Sequence, residues 1–176
     1  MSGRLEIIRG CMFSGKSTEL IRRLRAAPGS VAIKPMRDTR AGGAWLTTHT
    51  GDRLRAMIAG ALEDVAILAA KAEVVGIDEA HFFEVGLAHV CRGMKAEGKR
   101  LIIAGVGLDH FGEPFEPFAS LEADADEVVE MSCPCAVCGK PAIHSQRMVK
   151  STERISVGGA AEYQARCAAC FVPSKR

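Results

Sequence analysis

The sequence has no long apolar run and almost no excess of charge of either sign, and each absence excludes a class of protein. No apolar run reaches the roughly 18 residues that a membrane-spanning helix needs. The net charge is only +2, whereas domains that bind nucleic acid usually carry a clear basic excess. The start, MSGRLEIIRG, leads directly into a strand-like segment without the apolar core of a signal peptide. We therefore expect a cytoplasmic protein whose partners include neither membrane nor nucleic acid.

The chain also lacks internal repeats and low-complexity segments. Its 176 residues are enough for one compact domain plus a small appendage. Seven cysteines are present, and a reducing cytosol disfavours disulfides. We therefore expect metal ligation or buried thiols rather than a disulfide framework.

Strand-like apolar segments alternate with segments of helical periodicity in the first three quarters of the chain. This alternation predicts an α/β fold with a mostly parallel sheet and helices on both faces. A polar stretch over 36–52 is long enough to suspect a functional loop. After about residue 132 cysteine, glycine and short β-like pieces dominate, which predicts domains at 1–132 and 133–176. The predicted strands are 5–8, 31–33, 74–77 and 101–104, and the predicted helices are 16–27, 62–71 and 85–97.

Residues 10–17, GCMFSGKS, match the phosphate-loop pattern G-x-x-x-x-G-K-[ST], with a predicted strand before them and a predicted helix after them. In such a loop, glycines let backbone N–H groups surround phosphates at a helix N-terminus, which favours negative charge. Lys16 is expected to reach the β- and γ-phosphates, and the Ser17 hydroxyl to ligate Mg²⁺. The motif predicts binding of a nucleoside triphosphate without indicating the reaction.

Residues 77–83, IDEAHFF, place two acidic residues at the end of an apolar strand. Asp78 is predicted to help hold Mg²⁺, and Glu79 to act as a general base. The letters DEAH also spell a helicase signature, so a nucleic-acid-stimulated P-loop ATPase is the alternative function. A helicase motor, however, needs two tandem motor domains, far more chain than is present here.

Two C-x-x-C pairs, Cys135/Cys138 and Cys167/Cys170, are separated by 28 residues. Each pair forms a turn that presents two thiolates, and two such turns complete a tetrahedral zinc site. Four sulfur ligands leave no open position, so we expect a structural zinc. Cys133 is a competing ligand, although the spacing favours Cys135. The remaining cysteines, Cys11 and Cys91, are predicted to be core residues.

Taken together and in this order, these motifs resemble the zinc-containing thymidine kinases over residues 3–171. The segments that carry the resemblance are GCMFSGKSTELIRRL, IKPMRDTR, THTG, IDEAHFF, GLDHFGEPF, CAVCGKPAIHSQR and VGGAAEYQARCAACF. The resemblance implies a RecA-like P-loop domain followed by a zinc ribbon, and a lasso over residues 155–163 that covers a nucleoside. It implies transfer of the ATP γ-phosphoryl group to the 5′-hydroxyl of thymidine, with deoxyuridine possible as acceptor, for nucleotide salvage in DNA synthesis. It also implies a homotetramer.

The resemblance assigns two sets of site residues besides the base Glu79. Those expected at ATP and its Mg²⁺ are Gly10, Cys11, Met12, Phe13, Ser14, Gly15, Lys16, Ser17, Asp38, Arg40, Asp78, Ala80, His81 and Arg147. Those expected at the nucleoside are Met12, Phe82, Leu108, Phe111, Phe115, Ser145, Val157, Gly159 and Tyr163. The sequence departs from the family pattern at His81, where glutamine is usual. It departs again in GLDHFGEPF, which is two residues short and lacks an arginine.

Overall fold

The computed structural model describes residues 2–39, 42–48, 50–83, 85–150, 153–155 and 157–174. The helices are α1 (Lys16–Arg25), α2 (Leu62–Ala69), α3 (Gly86–Ala96) and α4 (Phe118–Glu122). The strands are β1 (Arg4–Gly10), β2 (Val31–Pro35), β3 (Trp45–Thr47), β4 (Arg53–Arg55), β5 (Met57–Ala59), β6 (Val74–Ile77), β7 (Arg100–Val106), β8 (Glu127–Met131), β9 (Cys133–Pro134), β10 (Pro141–Ala142), β11 (His144–Arg147) and β12 (Tyr163–Arg166).

Six strands form one sheet in the order β5-β2-β6-β7-β1-β8, and every pairing in it is parallel. The predicted α/β class with a mostly parallel sheet is therefore confirmed. Parallel strands bring their carboxyl ends to one edge of the sheet. The loops after β1 and β6 consequently lie at the same edge, on either side of β7, and they carry the phosphate loop and the acidic pair.

Helices cover both faces of this sheet. Neighbouring residues of a strand face opposite sides, so Ile7 and Ile103 join one apolar layer while Ile8 and Ile102 join the other. The second layer contains the buried face of α1, whereas α2, α3 and α4 pack on the first. The helix residues concerned are Leu20, Ile21 and Leu24 in the second layer and Val65, Leu87, Cys91 and Phe118 in the first.

A buried carboxylate ties α1 to the sheet. Glu6 of β1 is 1% exposed, and its oxygens lie 2.5 Å from Arg23 Nη1, 2.7 Å from Arg100 Nε and 3.0 Å from Arg4 Nε. Burial alone would raise the pKa of Glu6, but hydrogen bonds from Arg100 and Arg23 outweigh it and hold the pKa below its ordinary value. The helix that follows the phosphate loop is thus anchored by charge as well as by apolar packing.

The polar stretch 36–52 is not wholly a loop, which corrects the prediction. Its residues 45–47 form β3, which pairs antiparallel with β4. Leu46 is buried and packs in the layer that contains α1. The hairpin escaped sequence reasoning because a three-residue strand with one buried side chain has no measurable periodicity. β5 and α4 were also not predicted, because three and five residues are too short to show a period. β8 was not predicted because its side chains are only partly buried.

The described residues after 132 contain no helix. They form two antiparallel pairs, β9 with β10 and β11 with β12. The division into domains at 132 and 133 stays a prediction, although β8, the last strand of the main sheet, ends at Met131. None of the helices within the described ranges is long and apolar enough to cross a bilayer.

Candidate active site and metal centre

The phosphate loop is a compact turn between β1 and α1. Gly15, the residue before α1, has φ of 85°, a left-handed conformation that favours glycine. A Cβ on Gly10 would lie 2.3 Å from the carbonyl oxygen of Met131, so only glycine fits against the neighbouring strand. Phe13 also has a positive φ, 69°, which is uncommon for a non-glycine residue. The loop therefore holds its backbone in a conformation that an ordinary turn would not need.

The side chain of Lys16 folds back over this loop. Lys16 is only 6% exposed, and its ammonium donates to the carbonyl of Cys11 over 2.6 Å. The hydroxyl of Ser14 donates to the same carbonyl over 2.8 Å. A buried ammonium held at the N-terminus of a helix makes the loop electropositive, as binding of phosphates requires.

The acidic pair lies beside the loop, at the end of β6. Asp78 is 4% exposed and Glu79 is 7% exposed. Burial and the adjacent charge of Glu79 raise the pKa of Asp78 to about 7, although a hydrogen bond from Ser17 and the charge of Lys16 oppose the rise. Glu79 has φ of 51°, and its backbone N–H donates to Asp78 Oδ1 over 3.0 Å. Asp78, Ser17 and Lys16 thus meet at one point, where a divalent cation would relieve the buried carboxylates.

A cavity of about 300 Å³ opens between these groups. It brings together the phosphate loop, the acidic pair, the β3 hairpin and the glycines of the lasso. Of the described residues expected at ATP, Gly10, Cys11, Ser14, Ala80 and Arg147 do not line it. The lining consists of Met12, Phe13, Gly15, Lys16, Ser17, Thr18, Asp38, Leu46, Thr47, Thr48, Asp78, Glu79, His81, Phe82, Val106, Gly158 and Gly159.

Asp38 reaches this cavity with a cation already beside it. Its carboxylate is buried and lies 3.2 Å from the Lys34 ammonium, which also donates to the carbonyl of Trp45 over 3.3 Å. This places the predicted carboxylate beside the phosphate region. Arg40, its expected companion, falls outside the described residues.

A second, smaller cavity of about 40 Å³ adjoins the first. Met12, His81 and Val106 line both cavities, so the two meet at these side chains. Five of the residues expected at the nucleoside line the smaller cavity, and Phe82 and Gly159 line the larger. The smaller lining is Met12, His81, Val106, Leu108, Asp109, His110, Phe115, Ser145, Arg154, Ile155 and Tyr163.

Two residues expected at the nucleoside line neither cavity. Phe111 is half-buried with its ring 4.0 Å from that of His110, between centroids, and Val157 is exposed. Conversely, sequence reasoning did not select Asp109 or Arg154 for the smaller cavity. Asp109 stands in the quoted segment GLDHFGEPF, which was the available signal.

Arg147 supports the approach to the lasso rather than the phosphate loop. Its buried guanidinium donates to the Tyr163 hydroxyl over 3.1 Å and to the backbone carbonyls of Glu153 and Arg154. Arg154 in turn pairs with the buried Asp109 over 2.7 Å. Because Arg147 lines neither cavity, the geometry gives no support to its predicted place beside the phosphates.

The cysteines of the two C-x-x-C pairs converge. The sulfur atoms of Cys135, Cys138, Cys167 and Cys170 all lie within 4.8 Å of one another. Burial favours the neutral thiol of Cys135, but backbone N–H groups, that of Cys167 foremost, outweigh it and lower its pKa to about 6. The crowding of thiols, with Cys138 first, raises the pKa of Cys170 to about 12. The pKa of Cys167 is also lowered, foremost by a hydrogen bond with the side chain of Cys138. Four sulfurs this close together, two of them with lowered pKa values, are a donor set suited to zinc.

Cys133 belongs to a different contact. Its sulfur lies 3.7 Å from that of Cys11 and is not a member of the four-cysteine group in the described part of the chain. The geometry therefore favours Cys135 over Cys133 as a ligand. Cys11 is fully buried, and its thiol donates to the carbonyl of Ala142 over 3.2 Å. The next residue, Met12, donates its N–H to Ser145 Oγ over 3.0 Å. The phosphate loop therefore rests on the cysteine-rich segment.

Comparison with known proteins agrees with this arrangement. Residues 3–171 match the family model described as thymidine kinase. The thymidine kinase of Rhodothermus sp. is 41% identical over 177 residues, covering 98% of this chain and 83% of that protein. The thymidine kinase of Coprothermobacter proteolyticus is 43% identical over 175 residues, covering 94% and 88%. That of Halobacterium salinarum is 38% identical over 185 residues, covering 97% and 95%. The chain belongs to the thymidine kinase family.

Proposed function

We propose that this protein transfers the γ-phosphoryl group of ATP to the 5′-hydroxyl of thymidine, with deoxyuridine as a possible second acceptor. The observation that carries the proposal is the junction of two cavities with different linings. The larger one is lined by the phosphate loop and the two carboxylates Asp78 and Glu79. The smaller one is lined by apolar and aromatic side chains together with the Asp109–Arg154 ion pair, and it contains neither the phosphate-loop lysine nor the acidic pair. A triphosphate and a nucleoside bound there would meet beside Glu79.

The roles follow from the positions of the side chains. Lys16 neutralises charge on the β- and γ-phosphates, and Asp78 with Ser17 would hold Mg²⁺, which supplies further neutralisation when bound. Glu79 accepts the proton of the 5′-hydroxyl. A bond then forms between the 5′-oxygen and the γ-phosphorus as the bond between that phosphorus and the oxygen leaving with ADP breaks. The products are thymidine 5′-monophosphate and ADP, as expected for nucleotide salvage.

The nucleoside is held by shape and by a few polar groups. Phe82, Phe115 and Leu108 offer flat or apolar surfaces to a pyrimidine, and Ser145 offers a hydroxyl for orientation. Gly159 lines the larger cavity and Tyr163 the smaller, so the lasso would cover the junction. Such a cover matters because water admitted to the site would compete with the nucleoside for the phosphoryl group. Phe111 and Val157 would contact the nucleoside only after local rearrangement.

The four-cysteine cluster is proposed to hold one structural zinc ion, through Cys135, Cys138, Cys167 and Cys170. Its sulfurs occupy all four positions of a tetrahedral site, so no position remains for a substrate. Its role would be to shape residues 133–176 as a small domain against which the phosphate loop rests. A homotetramer in the cytoplasm, without a nucleic-acid partner, completes the proposal by analogy with the family.

The test is an acceptor panel. Purified zinc-loaded protein is incubated with ATP, Mg²⁺ and each of the common nucleosides and deoxynucleosides, and products are identified by chromatography against standards. We expect thymidine 5′-monophosphate and ADP in equal amounts, with little ADP when the nucleoside is omitted. Formation of ADP that DNA or RNA stimulates, with no nucleoside monophosphate from any acceptor, would contradict the proposal and favour the DEAH-type ATPase.

A further inference from the structure

His81 occupies the junction of the two cavities and has a defined orientation. It is 6% exposed, and its ring packs against Phe82 and Phe115, with centroids 4.3 Å and 5.5 Å away. The backbone N–H of Val106 donates to His81 Nδ1 over 3.3 Å. Since that nitrogen accepts a hydrogen bond, a neutral ring carries its proton on Nε2.

That second nitrogen faces the proposed base. His81 Nε2 lies 3.5 Å from Glu79 Oε2. We propose that His81 is a positioning residue, whose Nε2–H holds the Glu79 carboxylate at the junction where the 5′-hydroxyl meets the γ-phosphate. The inference rests on the proposed kinase function and adds a residue to it.

Glu79 needs such a partner for two reasons. Its backbone is left-handed, with φ of 51°, and its N–H donates a hydrogen bond to Asp78. The Cα–Cβ bond therefore leaves the backbone in a direction that is uncommon for a residue other than glycine. The neighbouring carboxylate of Asp78 also repels it when both are ionised. The Nε2–H of His81, 3.5 Å from Glu79 Oε2, offsets that repulsion and fixes which oxygen points to the substrate.

Apolar packing alone would not require a histidine here. A phenylalanine could pack beside Phe82 and Phe115 without burying two nitrogens, which costs free energy unless both are hydrogen-bonded. One nitrogen is satisfied by Val106, a fixed backbone group. The other faces Glu79. The imidazole therefore links the backbone of β7 to the Glu79 carboxylate and can hold that carboxylate at a fixed distance from the strand.

Three substitutions separate positioning from packing. His81→Phe keeps an aromatic ring at this position and removes both nitrogens. His81→Gln keeps an acceptor for Val106 and a donor for Glu79, about as far apart as the two ring nitrogens. His81→Asn has the same amide on a side chain one methylene shorter. His89→Gln, on the exposed face of α3, is the surface control.

We expect His81→Phe and His81→Asn to lower kcat by about 10- to 100-fold, because a misplaced catalytic group costs rate rather than affinity. The KM for thymidine and for ATP should change by less than about threefold in both. His81→Gln should restore kcat to within a few-fold of the unmodified protein, and His89→Gln should have no effect. Wild-type kcat in both His81→Phe and His81→Asn would overturn the proposal, as would equal kcat in His81→Gln and His81→Asn.

A double-mutant cycle gives the decisive readout. If His81 acts through the carboxylate of Glu79, the Phe substitution should change kcat little once Glu79→Gln is already present. An undiminished loss in the Glu79→Gln background would show that His81 acts elsewhere. Should the Phe variant fail to fold, the comparison of His81→Gln with His81→Asn decides alone. Failure of the proposed function is distinct, because the unmodified protein would then form no nucleoside monophosphate.

Discussion

Glu6→Gln is expected to destabilise the fold while leaving the chemistry intact. The substitution keeps the shape of the side chain and removes the charge that three arginines share. Breaking a buried ion pair typically costs about 3 to 5 kcal/mol. The cost here should be lower, because Arg23 keeps Glu19 at 2.8 Å and Glu127 at 3.0 Å, and Arg100, 40% exposed, can turn to water.

We therefore expect a loss of about 2 to 3 kcal/mol in the free energy of unfolding. In a chain of this size that corresponds to a fall of about 4 to 12 °C in the melting temperature. The assay is urea denaturation of the zinc-loaded protein, with kcat measured well below the transition. Activity should be unchanged, since Glu6 lies in the first half of β1, away from the loop at the strand's carboxyl end.

Glu127→Gln is the matched control, because Glu127 pairs with two of the same arginines but is 33% exposed. Its loss should stay below about 1 kcal/mol. Because the pKa of Glu6 is lowered, its contribution is fully present above the unfolded value near 4.5 and disappears as the pH falls through the folded value. The difference in free energy of unfolding between the unmodified protein and Glu6→Gln should therefore shrink as the pH falls below about 4.5. Equal losses at Glu6 and Glu127, or a loss at Glu6 under about 0.5 kcal/mol, would refute the reasoning.

Three further predictions concern the site itself. Glu79→Gln should leave the Kd for ATP within about twofold and lower kcat by at least about 100-fold, and an unchanged kcat would remove Glu79 from the role of base. Cys138→Ser should lose the one zinc expected per chain in metal analysis, whereas Cys133→Ser should retain it; zinc-free wild-type protein would count against the cluster. Since the pKa of Asp78 is raised to about 7, the apparent affinity for Mg²⁺ should fall as the pH drops below 7, approaching tenfold per pH unit, and rise little above pH 8. A half-saturating Mg²⁺ concentration that stays the same between pH 6 and 8 would contradict that role for Asp78.

Much of the site could be predicted because its residues belong to short sequence motifs with a fixed spacing. The phosphate loop and the pair Asp78–Glu79 depend on a few consecutive residues at strand ends, and a parallel sheet brings such ends together. The choice of Cys135 over Cys133 followed from the geometry of a C-x-x-C turn. Each of these inferences required no knowledge of how distant segments pack.

The parts that escaped prediction depend on long-range folding. Arg147 contacts Tyr163 because two strands pair in the C-terminal segment, and no sequence spacing shows which carbonyls it will reach. Asp109 and Arg154 form an ion pair across 45 positions of the chain, in segments with no regular period. The sequence shows that His81 departs from the family pattern. The orientation of its ring cannot be read from the sequence, because it depends on a hydrogen bond from the backbone of Val106.

The contacts of Cys11 and Met12 also have a consequence for how the protein is made. Their partners Ala142 and Ser145 lie 131 and 133 residues further along the chain, so the ribosome makes the phosphate loop well before the residues that support it. Contacts between such distant residues slow folding, because a long loop must close before they can form. We expect a nascent chain released before residue 145 to have its phosphate motif intact in sequence yet to bind nucleotide poorly. The ability to bind ATP would thus appear only after residue 145 has been made and has folded against the loop.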